Sequence, residues 1–206
     1  MLAGRVAATG RIRCLAVLRP TDLPPSAGPI GLATVLVVDS FVLTRLPPRP
    51  LSGVVDEAAH LATAVALLAA WPDADQGFTG GLLAGSILLD MDHVPELWGR
   101  RWLRPRGVRP VPHSVTTPAL VLWQAGRTSN RALMGAVVGL GGHLLRDLAT
   151  GRTGVPLLWP LTARPFSIRY RRYAAALAVL AAVGAARRRP AFPVPAPQAP
   201  APPRTS

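Results

Sequence analysis

The chain has 206 residues, half of them apolar and about a sixth charged, with 23 prolines and 19 glycines. That length suits one domain with a real core, and a lone cysteine, Cys14, excludes both an internal disulfide and a thiolate metal site. The net charge of +13 rests on 23 basic residues, all arginine, which would suit a phosphate-rich partner, yet cationic loops between apolar segments are equally expected of a membrane protein.

Residues 1–29 carry Arg5, Arg11, Arg13 and Arg19 before TDLPPSAGP. They lack the continuous apolar stretch of a signal peptide and read as a disordered basic N-terminus. Residues 30–46 predict a first span, weakened by Asp39 and rich enough in β-branched residues to suit a strand as well. PPRP at 47–50 breaks any helix. A helix then runs through VVDEAAHLATAVALLAAW, with Asp56 and Glu57 in its first turn near the positive end of the macrodipole. WPDADQG turns the chain, and FTGGLLAGSILLDM leads into Asp90, Asp92 and His93. Residues 94–112 form a Pro- and Arg-rich loop. His113 opens the next apolar block, which ends near Gly126, and another runs from Arg131 to about Ala149. Beyond TGRTGVPLLWPLTARPFSI an Ala-rich helix covers about 171–186. Residues 187–206 read as a disordered Pro/Ala tail.

Each apolar block alone could be the core helix of a soluble protein. Together they predict an all-α fold, a compact membrane bundle of four to six apolar helices over residues 30–186. Gly81 with Gly85, and Gly135 with Gly139, fall at the four-residue spacing that lets helix backbones approach closely in a membrane. The tryptophans near block ends and in loops suit interfacial anchors.

The chain has only four histidines, His60, His93, His113 and His143. Tracing the blocks as antiparallel helices brings all of them to one face, together with Asp90, Asp92 and Asp147. His143 and Asp147 are four residues apart and share one helical face. Asp56 and Glu57, four and three residues before His60, also share a helical face with it. Nitrogen and oxygen donors without sulfur suit a divalent metal, zinc first, with Mn, Fe or Mg as alternatives. Each residue has a plainer reading: a lone histidine is more often a bonded core residue, and Asp147 would pair with Arg146 or Arg152. Jointly the plain readings weaken, because ionisable groups at membrane depth are costly.

LLDMDH, the stretch RPVPHS and HLLRDLATGRTGVPLLWP resemble the YdjM-like family, LexA-regulated, inner-membrane-associated metal-dependent hydrolases. The likeness covers roughly residues 54–170. It implies a small multi-pass protein of the bacterial inner membrane with a hydrolytic metal centre. Family ligands carry over to His60, Asp90, Asp92 or His93, His113, His143 and Asp147. The family often has Pro where Leu89 stands, and a second His before His113 that this chain lacks.

The function expected is metal-assisted hydrolysis, in which an activated water attacks a phosphoester or a lipid-type substrate. Metal ligands are expected at His60, Asp90, His93, His113, His143 and Asp147, with Asp92 or Glu57 as general base. Arg101, Arg104, Arg106 and Arg109 would hold a phosphate or act only as loop charges. The partners expected are membrane lipid and a small-molecule or lipid phosphoester, not nucleic acid. The alternative is a non-catalytic membrane protein that binds metal or transports ions.

Overall fold

The computed structural model describes residues 23–45, 49–93 and 112–187, without the side chains of 49, 50, 52, 92 and 93. The predicted terminal tails and the Arg-rich loop therefore lie largely outside the described residues. Within them the fold is all-helical. Six α-helices follow in order: α1 (Ala27–Arg45), α2 (Arg49–Ala69), α3 (Gln76–Ile87), α4 (Thr116–Thr128), α5 (Arg131–Thr150) and α6 (Tyr170–Arg187). A short 3-10 helix, Leu88–His93, continues α3. A single antiparallel bridge, Val155 with Phe166, is the only β pairing among the described residues.

Two boundaries differ from the sequence expectation. Residues 30–45 are helical despite their β-branched content, and α1 already starts at Ala27. The second helix begins at Arg49, inside the stretch expected to break it. Proline is tolerated in a first turn, where its missing N–H has no intrahelical partner to lose. His60 consequently sits roughly 16 Å along α2 rather than near its start.

Local signals start and stop the helices between these points. Asp75 caps α3 by accepting the Phe78 N–H at 2.7 Å, and Arg131 Nε donates to its other oxygen at 3.0 Å. The Phe78 bond and the Arg131 guanidinium hold the Asp75 carboxyl below the usual carboxylate range. Asn130 caps α5 by accepting from Ala132 and Leu133. Ser129, in the left-handed region at φ 49°, closes the tight α4–α5 turn.

α1 is built outside-in relative to a soluble helix. Its buried stripe is Ala27, Gly28, Gly31, Val35 and Asp39, while Ile30, Val37 and Phe41 face outward. α1 and α5 are both long and apolar enough to cross a membrane. At 12 and 13 residues, α3 and α4 reach only about 18–20 Å, short of a bilayer core of about 30 Å.

α3 and α5 pack closest of all. A Cβ at Gly81 or Gly85 would strike the backbone of Ala132 or Ala136, and one at Gly135 or Gly139 would strike the carbonyl of Phe78 or Leu82. Glycine is required at all four positions because backbone lies against backbone. A Cβ at Gly141, on the same helix, meets nothing. Gly139→Ala should therefore lower stability by about 1–3 kcal/mol or more. Gly141→Ala should be neutral or gain up to about 1 kcal/mol. Thermal unfolding in detergent reads both, and equal melting temperatures would refute the close crossing.

Candidate metal centre

The close crossing of α3 and α5 sets the first ligand. With Gly139 against Leu82 and Ser86, the Ser86 carbonyl comes within reach of the His143 ring, and His143 Nδ1 donates to it at 2.8 Å. That bond fixes the tautomer, because a ring that donates through Nδ1 presents a lone pair at Nε2. His143 Nε2 is buried and has no hydrogen-bond partner. Asp147, one turn further along α5, is equally buried and lies beside it.

The remaining donors arrive from three other segments. His60 comes from the middle of α2, and its ring stacks on that of His143 with centroids 3.7 Å apart and planes within 5°. Asp90 comes from the 3-10 helix that extends α3. His113 precedes α4 and is held there by the loop after α5. Val115 N donates to the Leu157 carbonyl at 2.9 Å, Thr116 Oγ1 to that of Trp159 at 2.5 Å, and Thr117 Oγ1 to that of Pro112 at 2.6 Å. The loop is closed in turn by the paired Val155 and Phe166 bonds. Gly154, at φ 72°, makes the turn that permits it. The motif GVPLLWP thus positions a histidine some forty residues upstream by its backbone.

Each of the three described imidazoles faces both carboxylates. His113 Nε2 lies 3.1 Å from Asp90 Oδ1 and 3.5 Å from Asp147 Oδ2. His143 Nε2 lies 3.5 Å from the same two oxygens. His60 Nε2 lies 3.6 Å from Asp90 Oδ2 and from Asp147 Oδ1. Two overlapping triads, His60–Asp90–His143 and His113–His143–Asp147, meet the geometry of a metal site. Ligand bonds of about 2.0–2.1 Å in a tetrahedron separate the ligands by about 3.3 Å, which is the spacing found. A lone pair facing two carboxylates across such gaps is repulsive unless a proton or a metal ion lies between them. The donor set therefore fits a divalent ion. Its chemistry, nitrogen and oxygen without sulfur, matches the metals expected from the sequence but does not select among them.

All but one of these side chains are sealed. His60, His113 and His143 have no exposed side-chain surface, Asp147 has 1% and Asp90 has 13%. Glu57, also half-buried, lies beside Asp90, and its Oε2 is buried without a partner. Among the described residues the centre opens along the Asp90–Glu57 edge.

Arg146, which the plainer reading of the sequence pairs with Asp147, is ion-paired with Asp39 and Asp56. Arg146 is fully buried between His143 and Asp147. Its Nη2 and Nε donate to Asp39 Oδ1 at 2.6 and 3.1 Å, and its Nη1 donates to Asp56 Oδ1 at 2.5 Å and to His60 Nε2 at 3.0 Å. Tyr170 Oη donates to Asp39 Oδ2 at 3.0 Å. Asp39, read from sequence as a weakness in a span, is the buried counterion of this arginine. Asp56, about two turns inside α2 rather than in its first turn, is the second.

Five of the expected site residues, His60, Asp90, His113, His143 and Asp147, converge, and Glu57 borders them. Asp92 and His93 close the 3-10 helix, but their side chains lie outside the described residues, as do Arg101, Arg104, Arg106 and Arg109. The sequence signal for Arg146 was its charge inside an apolar helix, which needs a partner of opposite sign.

Asp39→Ala should cost about 3–5 kcal/mol by leaving a buried guanidinium short of its counterion. Chemical unfolding in mild detergent measures it, and a loss below about 1 kcal/mol would show that water reaches Arg146.

Residues 30–196 match the YdjM inner membrane protein family. No curated protein matches the chain, and neither does any solved structure.

Proposed function

Because the chain belongs to the YdjM inner membrane protein family, and His60, His113, His143, Asp90 and Asp147 meet in one cluster, we propose that it is a membrane-bound metal-dependent hydrolase. The observation that carries this reading is the convergence of five donors, four of them fully buried, from four separate segments around gaps of ligand–ligand length. Ionisable groups are seldom placed together inside an apolar bundle unless they do chemistry. When bound, a divalent ion supplies Lewis acidity and a water that is nucleophilic near neutral pH.

The chain's own residues supply the rest. His143, oriented by the Ser86 carbonyl, and His113, on the segment that the 155–160 loop holds, would supply the nitrogen ligands. Asp90 and Asp147 supply the negative charge that favours a dication. Glu57 stands at the open edge, where an unpartnered carboxylate oxygen can accept a proton from water and return it to a leaving group. The preferred substrate class is a phosphoester or a lipid-type ester, since the centre lies within a bundle that presents Ile30, Val37, Phe41, Leu120, Trp123 and Val179 to its surroundings. An outward apolar belt of this kind supports a multi-pass arrangement with lipid as the immediate partner.

The depth of the donors favours a second reading, a protein that holds or passes an ion without catalysis. The two separate by experiment. Zinc-loaded protein in detergent is assayed on a panel of phosphodiester, phosphomonoester and lipid ester substrates. Hydrolysis should appear, vanish with a chelator and return with metal. Glu57→Gln should cut kcat by about 10²–10⁴ while the bound metal stays at wild-type level. A fully metal-loaded protein inert on the whole panel would support the second reading. If His113→Ala with His143→Ala leaves metal content unchanged, the metal assignment itself is wrong.

A further inference from the structure

The approaches between imidazoles and carboxylates are sorted by oxygen. Asp90 turns Oδ1 to His113 and His143 but Oδ2 to His60. Asp147 turns Oδ2 to His113 and His143 but Oδ1 to His60. Each carboxylate thus straddles two cation positions. Among the described residues one is bounded by the His113 and His143 imidazoles and two carboxylate oxygens, the other by His60 and the second oxygen of each carboxylate. Paired bridging carboxylates of this kind can space two ions about 3.5–4 Å apart.

The second position already has a cation against it. Arg146 Nη1 lies 3.0 Å from His60 Nε2, and since a guanidinium has no acceptor, the imidazole nitrogen must receive the hydrogen. A neutral imidazole has one in-plane lone pair at that nitrogen, so it cannot hold an ion while it accepts from Arg146. Nor is Arg146 free to withdraw, with Asp39 and Asp56 fixing its other N–H groups. A dication beside a buried guanidinium would face like charge at close range.

We propose that the centre is mononuclear, with one divalent ion on His113, His143, Asp90 Oδ1 and Asp147 Oδ2, and that the Arg146 guanidinium takes the place of a second ion at the position His60 faces. This rests on the reading that the site holds a metal. His60 then acts on the ion indirectly: its ring stacks flat on the ligand ring of His143 and transmits the hold of Arg146 to it. His60 is a positioning residue rather than a ligand.

The test is metal counting and cobalt spectroscopy on the full chain in detergent. Wild type should take up one equivalent of Zn or Co per chain. His60→Gln should keep one equivalent, with the visible cobalt bands unchanged in shape and affinity weakened by no more than about 10–100-fold. His143→Gln should lose the ion and the bands. Two equivalents in wild type, or loss of the cobalt bands in His60→Gln, overturns the proposal while leaving a metal protein. No binding at saturating Zn or Co refutes the metal reading as well. Arg146→Met paired with Asp39→Asn removes one charge of each sign and should take up a second equivalent; a folded pair variant that stays at one overturns the role given to Arg146. The wild-type count and the His60→Gln spectrum decide nuclearity even where that pair does not fold.

Discussion

A guanidinium with no exposed surface sits at the middle of an apolar bundle, and the surrounding architecture answers to it. Moving such a charge out of water costs several kcal/mol even after relaxation, so it persists only where every N–H finds an acceptor and a counterion stands close. Arg146 meets most of that demand with Asp39 from α1, Asp56 and His60 from α2, and, through Asp39, Tyr170 at the start of α6. One side chain of α5 thereby sets the register of three other helices. Lysine could not do the same, because a single ammonium lacks the planar fork that reaches two carboxylates and an imidazole at once.

The histidine–aspartate cluster and this charge network share His60 and are continuous along α5, where Arg146 stands in sequence between the candidate ligands His143 and Asp147. Packing and chemistry are coupled on the opposite flank as well. The glycine contacts of α3 and α5 gain dispersion energy from backbone approach, which is the main attraction left to helices when the surroundings are as apolar as their side chains. The same approach places a carbonyl on His143. Rigidity at the crossing and orientation at the ligand therefore have one origin.

Much of the site was legible in the sequence because the ligands are scarce residue types. With four histidines in the chain, antiparallel tracing needed only the helix count to bring His60, His113 and His143 to one level with Asp90 and Asp147. The paired glycines were legible for the same reason, since their spacing states a helix face. The Arg146–Asp39 pairing was not. The partners are 107 residues apart, and nothing local to either distinguishes a span weakened by an acid from one that carries a counterion. The start of α2 was missed because Pro50 was read as a breaker, although a first turn tolerates it. The role of residues 155–160 was hidden because they act through carbonyls, which every residue has.

That last point has a counterpart at Ser86. His143 is oriented by a main-chain oxygen from the final turn of α3, one of the carbonyls a helix leaves unsatisfied at its end. The orienting partner of the ligand is thus indifferent to which side chain stands at position 86. What the hydrogen bond depends on is the distance between two helices, which the glycines at their crossing set. The address of the ligand's support is a crossing rather than an amino acid.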